Sequence, residues 1–312
     1  MVFLKRFGYF IVTAILVSFT VQFIVSLAAR FFGINLTSGG YAGLFILCLA
    51  YGMVGSFVSL QLSRWMAKRF HGVELVNPTT TDQTERKLID MVYRIARTAG
   101  LEVMPEVGYY EAADVNAFAT GPSKKRSLVA VSSGLMNSMN DSEIEGVLAH
   151  EIAHITNGDM VTLTLIQGVV NAFVMFIAQI ITMAIMNVLR GKDDDRPGLG
   201  DFFLRQGIYM AVSTVFALLG SLVVNYFSRH REFRADAGGA RYSTPEKMTA
   251  ALLKLQSLHL RPIPVQEKEG PDKMATLKIF GKSSGFSALF MTHPPLEERI
   301  AALKNRSYAS SL

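Results

Sequence analysis

Four stretches of the chain contain no Asp, Glu, Lys or Arg: Phe7 to Ala29, Tyr41 to Leu62, Val161 to Leu189 and Gln206 to Ser228. A helix needs about 20 apolar residues to cross the hydrocarbon core of a bilayer, and each stretch is long enough. None shows the two-residue alternation of a barrel strand. Helices, which satisfy their own backbone groups in lipid, are therefore expected. The first stretch follows Lys5 and Arg6, as a signal peptide would. It is too long for one and lacks a small-residue cleavage pattern, so it reads as a retained anchor. The third holds Gln167, Asn171 and Gln179, and the fourth Gln206 and Asn225. Polar groups are costly in lipid and turn towards other helices. Crossing is the favoured reading for this pair, and a hairpin packed partly outside the bilayer is the alternative.

The positions of the basic residues set the orientation. Lys5 and Arg6 precede the first stretch, Arg64, Lys68 and Arg69 follow the second, and Arg229, Arg231 and Arg234 follow the fourth. The positive-inside rule puts all three regions in the cytoplasm. The segment from Arg190 to Arg205 carries basic residues of its own and fits this rule least well. The net charge of +6 is thus explained by membrane flanks rather than by nucleic acid. No phosphate loop, zinc-finger spacing or RNA-binding signature is present, so no nucleic-acid partner is expected. Cys48, the single cysteine, lies in an apolar stretch and excludes an internal disulfide.

This gives four expected regions: 1–63, an N-terminal pair of transmembrane helices; 64–160, the first part of a soluble domain; 161–228, a hydrophobic helix pair; and 229–312, the second part of that domain. In the first part, Thr80 and Gln83 suggest a capping box before an amphipathic helix carrying Leu88, Val92, Ile95 and Ala99, ended by Gly100. Strands are expected over Glu106 to Tyr110, Val115 to Thr120 and Leu128 to Ser132. A second capping box, Ser142 with Glu145, opens a helix that Asn157-Gly158 stops. The second part reads as helices over Glu232 to Tyr242, Pro245 to Leu258 and Pro295 to Leu303, with a loop over 261–285.

The chemistry is concentrated in His150-Glu151-Ile152-Ala153-His154. Two histidines four apart share one helix face, so both rings can reach one ion. Glu151, about 100° round the helix, can reach water at that ion without binding it. Zinc brings the pKa of a bound water to about 7. Glu151 would take its proton and hand it to the departing amine. The bland alternative is a pair of surface histidines, but a capping box before the motif and a Gly stop after it favour the metal. A catalytic zinc keeps three protein ligands and one open position. The candidates for the third ligand are Glu232, Asp236, His230, Asp159, His259 and His293. Glu232 is favoured because Asp236 lies four residues on, where one carboxylate could bind metal and the other accept a ligand histidine's N–H. Asp159 fits a cap or helix terminus equally well. Tyr242, His293 and Arg299 are candidates for stabilising an oxyanion.

The stretches LAHEIAHITNGD and SRHREFRADAGGA resemble the HtpX family of bacterial heat-shock membrane proteases, and the similarity runs over nearly the whole chain. The resemblance implies a mainly α fold with a small β-sheet: a multi-helix integral membrane protein whose zincin-like catalytic domain is split by a hydrophobic helix pair. It implies one Zn2+ per chain held by His150, His154 and Glu232, with Glu151 as catalytic base and Asp236 behind the ligands. It places Asn116 on a substrate-facing strand beside the cleft, where spacing alone suggests a strand edge or turn. It further implies a zinc metalloendopeptidase acting on damaged or misfolded membrane proteins at the cytoplasmic face of the inner membrane, in stress response and protein quality control. Two rivals stand beside this. One is a selective processing peptidase similar to the prenyl-protein proteases, which have more membrane helices. The other is a membrane scaffold with structural zinc, which would not need Glu151. Uncontrolled proteolysis is harmful, so self-association into a homo-oligomer or restricted cleft access is expected to restrain the activity.

Overall fold

The structure, a computed structural model, describes residues 40–189, 198–259 and 293–305. In chain order the elements are α1 (Gly40–Phe70), β1 (Glu74–Leu75), α2 (Gln83–Thr98), β2 (Glu106–Tyr110), β3 (Ala117–Ser123), β4 (Arg126–Ser132), α3 (Ser133–Ser138), α4 (Asp141–Asn157), α5 (Asp159–Leu189), α6 (Leu199–Tyr242), α7 (Pro245–His259) and α8 (Leu296–Lys304). The fold is mainly helical with a small sheet, as expected. The first charge-free stretch, Phe7 to Ala29, and the loop over 261–285 lie outside the described residues, as does the first half, 190–197, of the segment from Arg190 to Arg205.

The other three charge-free stretches fall in α1, α5 and α6, each long and apolar enough to cross a membrane. No residue in the most apolar part of α6 is buried by protein, which suits a helix facing lipid. At about 1.5 Å per residue, the 44 residues of α6 extend about 66 Å, twice a bilayer core. Here the expectation of a separate helix from Glu232 to Tyr242 is corrected. The membrane-length stretch and the Glu232 segment are one unbroken helix, because no Gly or Pro interrupts the run from Ser221 to Ala237.

The described residues form two compact units: those up to Ser59 with Thr164–Val224, and Leu60–Leu163 with those from Asn225 onward. In the first unit, α1 and α5 meet through small residues. A Cβ added to Gly52 would stand 2.4 Å from Gly168 O and 2.8 Å from Ala172 N, so only glycine allows this approach. Phe45 meets Phe173 and Phe176 edge-on, with ring centroids 5.6 and 5.2 Å apart. Gln167 Nε2 donates to Asn171 Oδ1 at 2.8 Å, so these two polar groups satisfy one another along α5.

The second unit is built on a four-stranded sheet of order β1-β2-β4-β3. β1 and β2 are antiparallel, β2 and β4 parallel, and β3 and β4 antiparallel. β4 is central and buried on both faces, which explains its unbroken apolar run. Val129 and Val131 join the main core with Val92 and Ile95 of α2, Leu148 and Ile152 of α4, Leu252 of α7 and Ile300 of α8. Leu128 and Ala130 face a second cluster with Ala67, Tyr110 and Phe118. β3 forms one edge of the sheet, and α4 packs along it.

Local signals moved by a few residues, each for a visible reason. The cap of α2 is Asp82, which accepts from Thr84 N and Glu85 N. The capping box of α4 is Asn140 with Glu143, because Glu145 is taken by Arg94 and Lys247 at 2.7 and 2.8 Å. β3 begins at Ala117 rather than Val115, because Asn116 N–H goes to the Ser132 hydroxyl instead of a main-chain oxygen of β4. The stop at Gly158 holds: its φ of +70° is the left-handed corner between α4 and α5.

Candidate metal centre

α4 carries His150, Glu151 and His154, all part of a helix whose apolar residues anchor it in the core. Glu232 and Asp236 lie one turn apart on α6, beyond its charge-free stretch. The approach of α6 to α4 depends on the small residues that follow. A Cβ on Gly238 would stand 2.6 Å from Ala153 Cβ, and one on Gly239 would be 3.2 Å from His150 N. The Ala-Gly-Gly-Ala run therefore brings a carboxylate to the histidines.

His150 Nε2 and His154 Nε2 are 3.1 Å apart. Glu232 Oε2 is 3.4 Å from the first and Oε1 is 3.4 Å from the second. Ligand atoms about 2.0–2.2 Å from a tetrahedral zinc stand about 3.4 Å from one another. Glu232 is fully buried, yet neither of its carboxylate oxygens accepts a hydrogen bond. Such a group is costly unless something else satisfies it. Two nitrogen donors and an orphaned carboxylate at this spacing fit a divalent cation, and the three residues could hold one.

Each ring is oriented from behind. His150 Nδ1 lies 2.9 Å from Asp236 Oδ1, and His154 Nδ1 lies 2.7 Å from Asp159 Oδ2. With Nδ1–H donated to a carboxylate, Nε2 keeps its lone pair for a metal. Arg299, fully buried on α8, holds Asp236 with two bonds, Nε to Oδ2 at 2.8 Å and Nη2 to Oδ1 at 2.6 Å. Asp159 has looser support: Arg234 stands 3.6 Å from its Oδ1, and Arg231 Nη1 donates to its main-chain oxygen at 3.3 Å. Burial lowers the proton affinity of both rings, but the Asp236 and Glu232 carboxylates leave His150 raised overall. Burial likewise works against His154, yet Asp159 and Glu232 push it up to about 10. The same negative field favours a cation in place of those protons.

Glu151 is buried beside the cluster, and its carboxylate makes no hydrogen bond to any described residue. Among the described residues it is thus uncommitted. His293 Nδ1 lies 2.9 Å from Glu232 Oε2, outside hydrogen-bond alignment, with the ring partly exposed. Of the other candidates, His230 is exposed. Tyr242 Oη bonds Thr156 Oγ1 at 3.2 Å. Arg299 gives Nε and Nη2 to Asp236, while its Nη1 makes no hydrogen bond and stands 3.5 Å from Glu232 Oε2. Asn116 is buried just before β3, with its N–H and C=O both bonded to Ser132. Its Oδ1 has no partner, and it makes no hydrogen bond to the cluster among the described residues. Sequence reasoning missed the pairing of Asp159 with His154, and although pairing with a nearby carboxylate was an alternative for Arg299, it did not name Asp236 as that partner. The first could have been read from the tight Gly158 corner, which turns Asp159 back towards His154. The second has no local signal.

Residues 82–307 match the sequence model described as Peptidase family M48. The chain is 47% identical over 307 residues to the Protease HtpX homolog of Bacillus subtilis (strain 168), covering 96% of this chain and 99% of that one. It is 45% identical over 303 residues to Protease HtpX of Shewanella oneidensis, covering 97% and 100%. The crystal structure of S. mikatae Ste24p shares the fold, with a TM-score of 0.57 at 18% identity, covering 94% of this chain and 65% of that one. Matched over most of its length, and carrying both membrane-length helices and a buried histidine–carboxylate cluster, the chain belongs to peptidase family M48 as a membrane metalloprotease of the HtpX type.

Proposed function

We propose that this membrane protease is a zinc-dependent endopeptidase that cuts misfolded or damaged membrane proteins at the cytoplasmic face of the bacterial inner membrane. The observation that carries the reading is the orphaned Glu232 carboxylate between two histidine Nε2 atoms, with Glu151, uncommitted among the described residues, next to His150. His150, His154 and Glu232 would hold one zinc ion, which when bound supplies a Lewis acid for the scissile carbonyl and lowers the pKa of water. Three protein ligands match a catalytic site, whereas a structural site closes with four.

The remaining steps belong to the chain's own residues. Glu151 removes a proton from the attacking water as its oxygen bonds to the carbonyl carbon, then delivers that proton to the amine as the C–N bond breaks. Asp236 and Asp159 keep each ring in the tautomer that leaves Nε2 free. His293, beside Glu232 and partly exposed, is placed to donate to the carbonyl oxygen as charge develops there. The edge of β3, unpaired among the described residues, offers main-chain groups to an extended peptide, with Asn116 setting the start of that strand. Binding through backbone groups gives broad specificity, which suits unfolded substrates. The basic residues Arg64, Lys68 and Arg69 at the end of α1, with Arg229 and Arg231 on α6, support a cytoplasmic catalytic part.

The test is digestion of an unfolded casein-like protein by detergent-purified chain, stripped of metal and then given zinc. Cleavage that vanishes on stripping and returns with zinc is expected. Undiminished cleavage by metal-free protein would refute zinc dependence.

A further inference from the structure

The turn joining β3 to β4 presents three consecutive exposed cations, Lys124, Lys125 and Arg126. It is firmly built. Buried Ser127 donates its hydroxyl to Lys124 O at 3.2 Å. Gly121, at a φ of +143°, makes the preceding bulge, where a Cβ would meet Arg126 O at 2.1 Å. Its neighbour is the foot of a membrane helix: a Cβ added to Gly158 would lie 3.9 Å from Lys124 Cε. Gly158 is the corner after which α5 begins, and α5 is free of charged residues from Met160 to Leu189. Lys125 pairs with Glu102 at 2.9 Å, but both side chains are more than two-thirds exposed, and such a pair yields readily to another anion.

The position of the base adds a length scale. Gly158 lies seven residues beyond Glu151, a rise of about 10 Å along α4. About 20 of the charge-free residues of α5 suffice to cross a bilayer, which leaves at most about 15 Å more of helix before the membrane. The two helices meet at the Gly158 corner, so the sum of about 25 Å is an upper bound, which an extended chain covers in about eight residues. β3 packs along α4 and ends at the basic turn, so its edge fills the interval between the turn and the motif helix.

We propose that the Lys124-Lys125-Arg126 turn rests on anionic lipid headgroups beside the foot of α5, holding β3 as the guide by which the juxtamembrane segment of a membrane-anchored substrate reaches Glu151. This inference rests on the peptidase reading above and names its substrate class. Cuts then fall within about ten residues of a substrate's membrane boundary. Anionic lipid speeds cleavage of anchored substrates, and salt weakens that effect.

The experiment uses the full zinc-loaded chain in vesicles of phosphatidylcholine alone or mixed with phosphatidylglycerol. One substrate carries an unfolded segment on a single transmembrane anchor, and the other is the same segment as a soluble peptide. The variants are Lys124→Gln with Lys125→Gln, and Lys124→Glu with Lys125→Glu. The parent should cut the anchored substrate roughly tenfold faster with phosphatidylglycerol present. The Gln pair should lose most of that gain and the Glu pair all of it, while soluble-peptide cleavage stays at the parent rate. Cut sites should move with the anchor when a spacer is inserted beyond them. Equal lipid enhancement in parent and variants, or cut sites that ignore the anchor, would overturn the inference and leave the peptidase reading intact. Loss of soluble-peptide cleavage in both variants would also overturn it, since the turn would then bind substrate rather than lipid. If the zinc-loaded parent cuts neither substrate, the peptidase reading itself fails, and this inference with it.

Discussion

At the scale of residues, the two candidate ligand histidines are held by carboxylates of unequal security. Asp236 is locked by a buried two-bond contact with Arg299, whereas Asp159 has an arginine no nearer than 3.6 Å from its carboxylate. Asp236→Asn and Asp159→Asn should each weaken zinc binding by about 10–100-fold, measured by competition with a chelator. Arg299→Met leaves Asp236 charged and buried with only the His150 ring as partner, and should cost about 3–5 kcal/mol of stability in denaturant titration of the detergent-solubilised chain. The histidines also make metal uptake depend on pH. His154 has a pKa of about 10 against an ordinary 6.5. In metal-free protein its proton therefore stabilises the fold fully below about pH 6.5, and that contribution is lost as pH rises through about 10. Zinc replaces this proton, so uptake at about pH 8 should release at least one proton per ion. Calorimetry in two buffers of different ionisation heat reads this number, and a value of zero would count against His154 as a ligand.

At the scale of elements, the site depends on one long helix passing close to another. The motif helix was legible because its histidines are local neighbours, four apart, and because Gly158 marks its end. The Glu232 segment was legible as a helix face, but its continuity with the preceding charge-free stretch was not. Composition changes sharply at Arg229, although the backbone does not. Arg299 was beyond reach for a different reason: its partner Asp236 is met only through tertiary packing of α8 on the core. The two-residue β1 and the six-residue α3 are too short to leave a periodic signal. The glycines after Asp236 carry the element-level prediction. Gly238→Val would force α6 away from Ala153, because the atom it meets belongs to a short, immovable side chain. It should destabilise the chain by about 1–3 kcal/mol and lower zinc affinity as well, whereas Gly207→Ala, with open space around it, should do neither.

At the scale of the molecule, three membrane-length helices and a buried histidine–carboxylate cluster occur in one chain, and the cluster draws on segments from both sides of the α5–α6 pair. The order of charge-free stretches conveyed that split from sequence alone, since His154 precedes the third stretch and Glu232 follows the fourth. Single cysteines placed at Lys87 and at Lys304, in a Cys48→Ala background, should be labelled from the same side of the membrane by an impermeant reagent. Labelling from opposite sides would refute an even number of crossings between them. The central claim, however, is that Glu151 is the base beside a zinc held by His150, His154 and Glu232. Its most direct test is to measure zinc content and casein cleavage together in the parent, Glu151→Gln and Glu232→Gln. The account predicts one zinc per chain and no cleavage for Glu151→Gln, with reduced zinc and no cleavage for Glu232→Gln. A Glu151→Gln protein that holds its zinc and cuts at the parent rate would contradict it.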